Sequence, residues 1–145
     1  MSSVINSLEV ILADTYALYL KTQNCHWHVK GPNFKSLHEL FETQYLELAA
    51  AVDSVAERIV IMAQKAPATF TELNQLKTIK DGNSSWTANE MVTALAKDHG
   101  ILVQDLNKAL KIAQDNNDEG TVNLLSERIS YHQKAHWMLH ASQEA

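Results

Sequence analysis

Hydrophobic residues recur at every third or fourth position along most of the chain, which is the spacing of one face of an α-helix. The first such run extends from about Ser3 to the helix-breaking pair Gly31-Pro32, and the second extends from about Asn33 to about Gln64. At 1.5 Å per residue, each of these helices is roughly 45 Å long. The predicted core face of the second helix comprises Phe34, Leu37, Phe41, Tyr45, Leu48, Val52, Val55 and Ile59.

The second half of the chain carries two further long helices after a longer connection. The third opens with Thr87-Ala-Asn-Glu90, a capping-box sequence, and ends near residues 115–117. The fourth extends from Asp118 or Thr121 to about Ala141, and residues 69–86 hold a short helical piece followed by a polar turn. No segment alternates long enough to predict strands. We therefore predict an all-α, ferritin-like four-helix bundle with a short extra helix in the middle connection, formed by one domain over residues 1–145.

The composition narrows the classes of protein that fit these helices. The chain has 145 residues, is 46% hydrophobic and carries a formal net charge of −5, which excludes an overall electrostatic attraction to nucleic acid or anionic membranes. Its one cysteine, Cys25, cannot form an internal disulfide, and we expect it to be a buried small residue. No signal peptide and no long apolar span are visible, so we expect a cytoplasmic protein.

A second row of side chains, about a third of a turn from the core face, gives the second helix its candidate chemistry. It contains two polar pairs, His38 with Glu42 and Asp53 with Glu57. Imidazole and carboxylate groups are common metal ligands. However, His38 and Asp53 are roughly 22 Å apart along the helix axis, whereas metal–ligand bonds are about 2 Å long. One chain alone therefore cannot gather all four residues into one metal site.

The spacing of the two pairs is palindromic about the middle of the helix. If two copies pack antiparallel about a two-fold axis at this midpoint, His38 faces the partner's Glu57 and Glu42 faces the partner's Asp53, giving two identical sites. An ordinary solvated helix face is the alternative interpretation. An intrachain di-iron centre is disfavoured, because that architecture uses two Glu-x-x-His motifs and no Glu or Asp here has a His three residues on.

Three stretches of the sequence resemble the Dps family, the DNA-protection-during-starvation proteins or mini-ferritins. They are residues 24–42, with H-W-H-V-K-G-P-N-F followed by L-H, residues 53–59, with D-S-V-A-E-R-I, and residues 132–139. The resemblance covers nearly the whole chain. It implies a hollow dodecamer that oxidises ferrous iron, preferentially with hydrogen peroxide, and stores the ferric mineral, which protects the cell from oxidative damage.

The resemblance also implies the ligands of an intersubunit di-iron ferroxidase centre. One subunit supplies His26, His38 and Glu42, and its partner supplies Asp53 and Glu57. This division agrees with the palindromic spacing, although His26 rests on the resemblance alone. Many family members have Asp at the position of Glu42, and the longer side chain would shift the second iron.

Two other groups of residues are weaker candidates for metal chemistry. On one face of the last helix lie three histidines that could bind a transition metal or be packed and hydrogen-bonded: His132, His136 and His140. At the turn into that helix lie three carboxylates that would line an acidic, iron-admitting pore or a solvated loop: Asp115, Asp118 and Glu119. His28, where the family commonly has Asn or Tyr, has no predicted role.

DNA binding is the main alternative function. Family members that bind DNA tightly often use a flexible tail rich in Lys and Arg, whereas the first basic residue here is Lys21, inside a predicted helix. We therefore expect weak or no DNA binding, and we predict an enzyme, a ferroxidase and iron store, rather than a nucleoid-associated shielding protein. A structural or cell-surface protein built on the same cage is a third hypothesis, for which the sequence offers no feature.

Overall fold

The computed structural model describes residues 2–144, and five helices account for most of that range. They are α1 (Ser2–His28), α2 (Phe34–Ile61), α3 (Phe70–Leu76), α4 (Ala88–Asp115) and α5 (Glu119–Ala141). No β-strand occurs within residues 2–144. The predicted all-α fold class is therefore confirmed.

The four long helices pack as two hairpins. One hairpin is formed by α1 with α2 and the other by α4 with α5, and they join mainly through α1 against α4. The connection between α2 and α4 carries α3, which packs against α1. This arrangement confirms the ferritin-type bundle with a short extra helix. All four long helices contribute to one hydrophobic core, which also buries Cys25, and burial raises the pKa of its thiol to about 12.

Local signals explain where the helices begin and end. The Thr87 hydroxyl accepts a hydrogen bond from the Glu90 backbone N–H while the Glu90 carboxylate accepts one from the Thr87 N–H, as the capping box predicts. The α2 helix ends at Ile61, earlier than the predicted Gln64, because Ala63 has a φ of 64°, in the left-handed region that interrupts a right-handed helix. None of the described helices is both long enough and apolar enough to cross a bilayer.

Candidate metal centre

His26 and His38 lie side by side where the end of α1 meets the start of α2. Gly31, with a φ of 112°, allows the chain to reverse direction between them. Their rings are stacked, with centroids 3.8 Å apart and planes at 14° to each other. The Nδ1 atom of each histidine lies 2.7 Å from the backbone oxygen of the other. The two residues therefore hold each other through a reciprocal pair of hydrogen bonds, called here the histidine lock.

The histidine lock fixes which ring nitrogen carries the proton. A backbone carbonyl oxygen can only accept a hydrogen bond, so Nδ1 must be the donor in both His26 and His38. In a neutral imidazole the other nitrogen, Nε2, then holds a free lone pair. Metal-binding histidines commonly have this arrangement, with one ring N–H donated to an acceptor such as a backbone oxygen and the other nitrogen open to the metal.

Glu42, the third ligand expected from one chain, lies next to the histidine lock. Its Oε1 atom lies 3.9 Å from Nε2 of His26. The His26 ring is almost entirely buried, whereas the Glu42 carboxylate is exposed on the outer face of α2. Two imidazole nitrogens and a carboxylate oxygen suit ferrous iron as ligands. The structure therefore places His26 beside both His38 and Glu42, the three residues expected to come from one subunit, without converging them into a complete metal site.

Two aromatic residues that the sequence analysis did not assign to the site enclose the histidine lock. The Phe34 ring stacks on His38 with centroids 5.0 Å apart, and the edge of Tyr45 meets His26 at 5.2 Å. The prediction that Phe34 belongs to the core was wrong, because 44% of its surface is exposed in the single chain. Its position one helical turn before His38 was the available signal for this contact.

Asp53 and Glu57 lie on the second half of α2, well away from the histidine lock of the same chain. Both are exposed, and they share the outer face of α2 with Leu46, which is 58% exposed. Within residues 2–144, no three His, Cys, Asp or Glu side chains converge closely enough to hold a metal ion. The single chain therefore presents two separated groups of possible ligands along one uncovered face.

The predicted three-histidine face of α5 does not form one site. His132 is buried, with Nδ1 2.8 Å from Nδ1 of His99 and Nε2 2.9 Å from Nη2 of Arg128. Burial, together with the neighbouring His99 and Arg128, holds the pKa of His132 well below its usual value. Burial and Arg128 also lower the pKa of His99, to about 3. His132 is thus a packed, hydrogen-bonded residue.

The acidic turn before α5 is partly engaged in structural contacts. Asp118 caps α5 by accepting hydrogen bonds from Thr121, and it lies 2.9 Å from Nη2 of Arg58. Burial raises the pKa of Asp118, but the hydrogen bonds from Thr121 and the charge of Arg58 outweigh it and leave the pKa below its usual value. Asp115 and Glu119 are exposed. Of the three carboxylates predicted to line a pore or a solvated loop, two are therefore exposed, and Asp118 has a structural role.

Comparisons with known proteins agree with this architecture. Residues 5–144 match the family model described as a ferritin-like domain. The chain is 40% identical over 138 residues to DNA protection during starvation protein 2 of Bacillus anthracis, covering 95% of this chain and 94% of that one. The crystal structure of Dps from Staphylococcus aureus superimposes with a TM-score of 0.97 at 30% identity, covering 100% of this chain and 97% of that one.

A second solved structure carries a chemical description. The Dps protein of Vibrio cholerae O1 is described as a member of a broad superfamily of ferritin-like diiron-carboxylate proteins, and it matches with a TM-score of 0.93 at 30% identity, covering 97% of this chain and 88% of that one. The matches extend over nearly the full length of both partners and include the helices that carry the histidine lock. The chain belongs to the Dps family of ferritin-like proteins.

Proposed function

We propose that this protein is a ferroxidase and iron store that oxidises Fe(II), preferentially with hydrogen peroxide, and sequesters the ferric product inside a hollow cytoplasmic dodecamer. Membership in the Dps family supports the general part of this function, namely iron storage, ferroxidase-type activity and protection against oxidative stress. The observation that carries the proposal is the histidine lock. It leaves two bare imidazole nitrogens, one of them beside Glu42.

The complete site requires a second subunit. His26, His38 and Glu42 are the ligands proposed for one chain, and the partner's Asp53 and the partner's Glu57 are proposed to complete the site. Two features of the single chain support this division: the palindromic spacing along α2, and the apolar Leu46 left exposed in the middle of the same face. An antiparallel two-fold contact centred on the middle of α2 would cover Leu46.

The proposed ligands fit the electron balance of the reaction. Hydrogen peroxide accepts two electrons and two protons to become two water molecules, and each ferrous ion supplies one electron. A site that holds two ferrous ions side by side can deliver both electrons together, whereas one ferrous ion alone would release a hydroxyl radical. Carboxylates bind the ferric product more strongly than the ferrous substrate, because their negative charge offsets its additional positive charge.

The proposal can be tested with ferrous iron as the substrate. Ferrous iron is added anaerobically, peroxide follows, and near-ultraviolet absorbance is recorded together with light scattering. We expect the wild-type protein to form a soluble ferric species rapidly. We expect Asp53→Ala to slow the oxidation by about 10- to 100-fold or more, as loss of a metal-supporting group does, while the oligomer stays assembled.

The matched control for Asp53→Ala is Glu39→Ala, which removes another exposed carboxylate from α2 outside the row of proposed ligands. Its oxidation kinetics should equal those of the wild-type protein. Unchanged kinetics in Asp53→Ala would remove the proposed site. A wild-type protein that elutes at the monomer mass would exclude the two-fold site, because neither half is complete in one chain.

Weak or absent DNA binding is part of the same proposal. The chain is acidic overall, with a net charge of −5. Lys21, its first basic residue, is buried and lies 2.8 Å from Asp98, so its charge is used inside the fold. Tight, salt-sensitive retardation of DNA in a gel at physiological salt would favour the nucleoid-associated alternative.

A further inference from the structure

His136 is held in one orientation on the outer surface of α5. Its Nδ1 atom lies 2.8 Å from the backbone oxygen of Ala96 on α4. Because that oxygen can only accept, Nδ1 carries the proton and Nε2 of the neutral ring holds a free lone pair. The ring also lies against Gly100, where an added Cβ would be 3.7 Å from Nδ1. The contact with α4 therefore prepares His136 as a ligand in the same way that the histidine lock prepares His26 and His38.

His140 lies one helical turn after His136 on the same face. The two rings are nearly parallel, with planes at 12° and centroids 6.0 Å apart. Both side chains are exposed in the single chain. Among the described residues the ring of His140 makes no hydrogen bond, so it can turn towards its neighbour without breaking one. His132, the preceding member of the series, is buried and hydrogen-bonded at both ring nitrogens, which excludes it from the pair.

We propose that His136 and His140 form a surface site for one borderline divalent transition-metal ion, of the class of Cu²⁺, Ni²⁺ or Zn²⁺, with water in the remaining positions. Nε2 of His136 is one ligand and a ring nitrogen of His140 is the second. Two histidines spaced four residues apart on a helix share one side and can bind one ion together. This site is separate from the proposed ferroxidase centre and does not depend on it.

The ligand set determines which ions the site favours. Imidazole suits copper, nickel and zinc, and affinity in this series is highest for Cu²⁺. No third His, Cys, Asp or Glu joins the pair within residues 2–144. Without a carboxylate the site does not favour Mg²⁺, Ca²⁺ or Fe²⁺, which prefer oxygen ligands or have lower affinity for nitrogen ligands. The expected order of affinity is therefore Cu²⁺ above Ni²⁺ and Zn²⁺, with Fe²⁺ well below.

The test measures Cu²⁺ binding by calorimetry and by electron paramagnetic resonance in the full chain carrying His38→Gln and Asp53→Ala, which remove one imidazole of the histidine lock and one carboxylate of the proposed ferroxidase centre. In this background, His136→Ala and His140→Ala should each weaken the binding of one Cu²⁺ equivalent per chain by at least about tenfold, since each leaves one ligand where two acted together. In the electron paramagnetic resonance spectrum, the bound Cu²⁺ should be coupled to two nitrogen atoms in the background protein and to one nitrogen atom in each variant. Circular dichroism checks that replacing these exposed histidines leaves the helices intact.

The matched control is His28→Ala. His28 is also exposed, and its Nδ1 atom also lies 2.8 Å from a backbone oxygen, that of Asn24, but Asn24 and Pro32 occupy the positions one turn away. Removing it should leave the affinity and the two-nitrogen spectrum unchanged. The proposal is wrong if His140→Ala binds Cu²⁺ as the background protein does, or if His28→Ala weakens the binding as strongly as His140→Ala.

Discussion

The molecule contains two close pairs of histidines whose ring nitrogens face opposite kinds of group. In the histidine lock, His26 and His38 are stacked at 3.8 Å, and both Nδ1 atoms donate to backbone oxygens. In the core pair, His99 and His132 are 5.0 Å apart, and Arg128 donates to Nε2 of His132. The first pair meets hydrogen-bond acceptors, and the second meets a donor.

This difference decides which pair can bind a metal. Backbone oxygens fix the protons of the histidine lock on Nδ1 and leave two lone pairs open. In the core pair, Arg128 uses the lone pair of Nε2 of His132, so Nδ1 of His132 carries the proton and donates it to Nδ1 of His99. The proton of His99 is then on Nε2, and no lone pair remains. Two histidines in contact can therefore bind a metal together only where their N–H groups donate to acceptors, because this leaves a lone pair open on each ring.

The largest expected effect on stability comes from removing Arg128, which donates a hydrogen bond to the core pair. Arg128 is buried and also forms an ion pair with Glu47 of α2, 2.5 Å from its carboxylate. Arg128→Ala leaves the Glu47 charge and the His132 lone pair without their partner. We expect the free energy of unfolding to fall by up to about 3–5 kcal/mol, which is the cost of removing one partner from a fully buried ion pair; the Glu47 side chain is 34% exposed, which lowers that cost. Urea denaturation at one fixed protein concentration measures it.

The control for Arg128→Ala is the double variant Arg128→Met with Glu47→Leu, which replaces both charges with apolar groups of similar size. It should be considerably more stable than Arg128→Ala, because no buried charge remains unpaired. A loss below about 1 kcal/mol in Arg128→Ala would place this pair among the weak surface ion pairs. The difference between the core pair, which a donor holds, and the histidine lock, which acceptors hold, would then lose its energetic basis.

A decrease in pH should lower the free energy of unfolding by a smaller amount that grows gradually. In the unfolded chain His99 takes up a proton near pH 6.5, whereas in the folded protein its pKa is about 3, lowered by burial and by Arg128. The unfolded state therefore binds more protons between these values, so stability is full above pH 6.5 and falls as the pH decreases below it. The slope is up to about 1.4 kcal/mol per pH unit for each such histidine, and His132 adds to it in the same direction.

The pH effect is measured by urea denaturation at a series of pH values for the wild-type protein, His99→Gln and His140→Gln. Replacing the buried His99 should make the slope below pH 6.5 shallower, because one proton-binding group is gone. Replacing the exposed His140 should leave the slope as it is in the wild-type protein. A wild-type stability that stays flat as the pH falls through this range would contradict the assignment of a neutral, buried core pair.

Local signals in the sequence were sufficient to predict most of the fold. The helical period and the Thr87 capping box depend only on neighbouring residues, and both appear in the structure as predicted. The end of α2 was predicted too late, because alanine favours helices and nothing near Ala63 announces its left-handed φ of 64°. That conformation closes the helix in a Schellman motif, in which the N–H groups of Ala63 and Gln64 donate to the backbone oxygens of Val60 and Ile59, although Ala63 is not the glycine that usually marks such an end.

The candidate site was predictable only where its residues share one helix. The spacing along α2 gave the row containing His38 and Glu42, but the reciprocal hydrogen bonds to His26 depend on how α1 packs against α2. The contact between His99 and His132 joins residues 33 positions apart and has no local signal. Phe34 was assigned to the core by its period, yet α1 ends at His28 and leaves that first turn of α2 uncovered.

The smallest expected effect is at the edge of the histidine lock, where Phe34 stacks on His38 at 5.0 Å. Phe34→Ala keeps both reciprocal hydrogen bonds and removes only this aromatic support, which is worth about 0.5–1.5 kcal/mol. If the stack holds the His38 ring in its ligand orientation, ferrous iron oxidation should slow by about two- to tenfold without being abolished. The control is Phe70→Ala, which removes a phenyl ring that is 83% exposed and has no ring partner among the described residues. Equal oxidation rates in the two variants would show that the backbone oxygens alone orient the pair, which would sharpen the contrast with the core pair rather than weaken it.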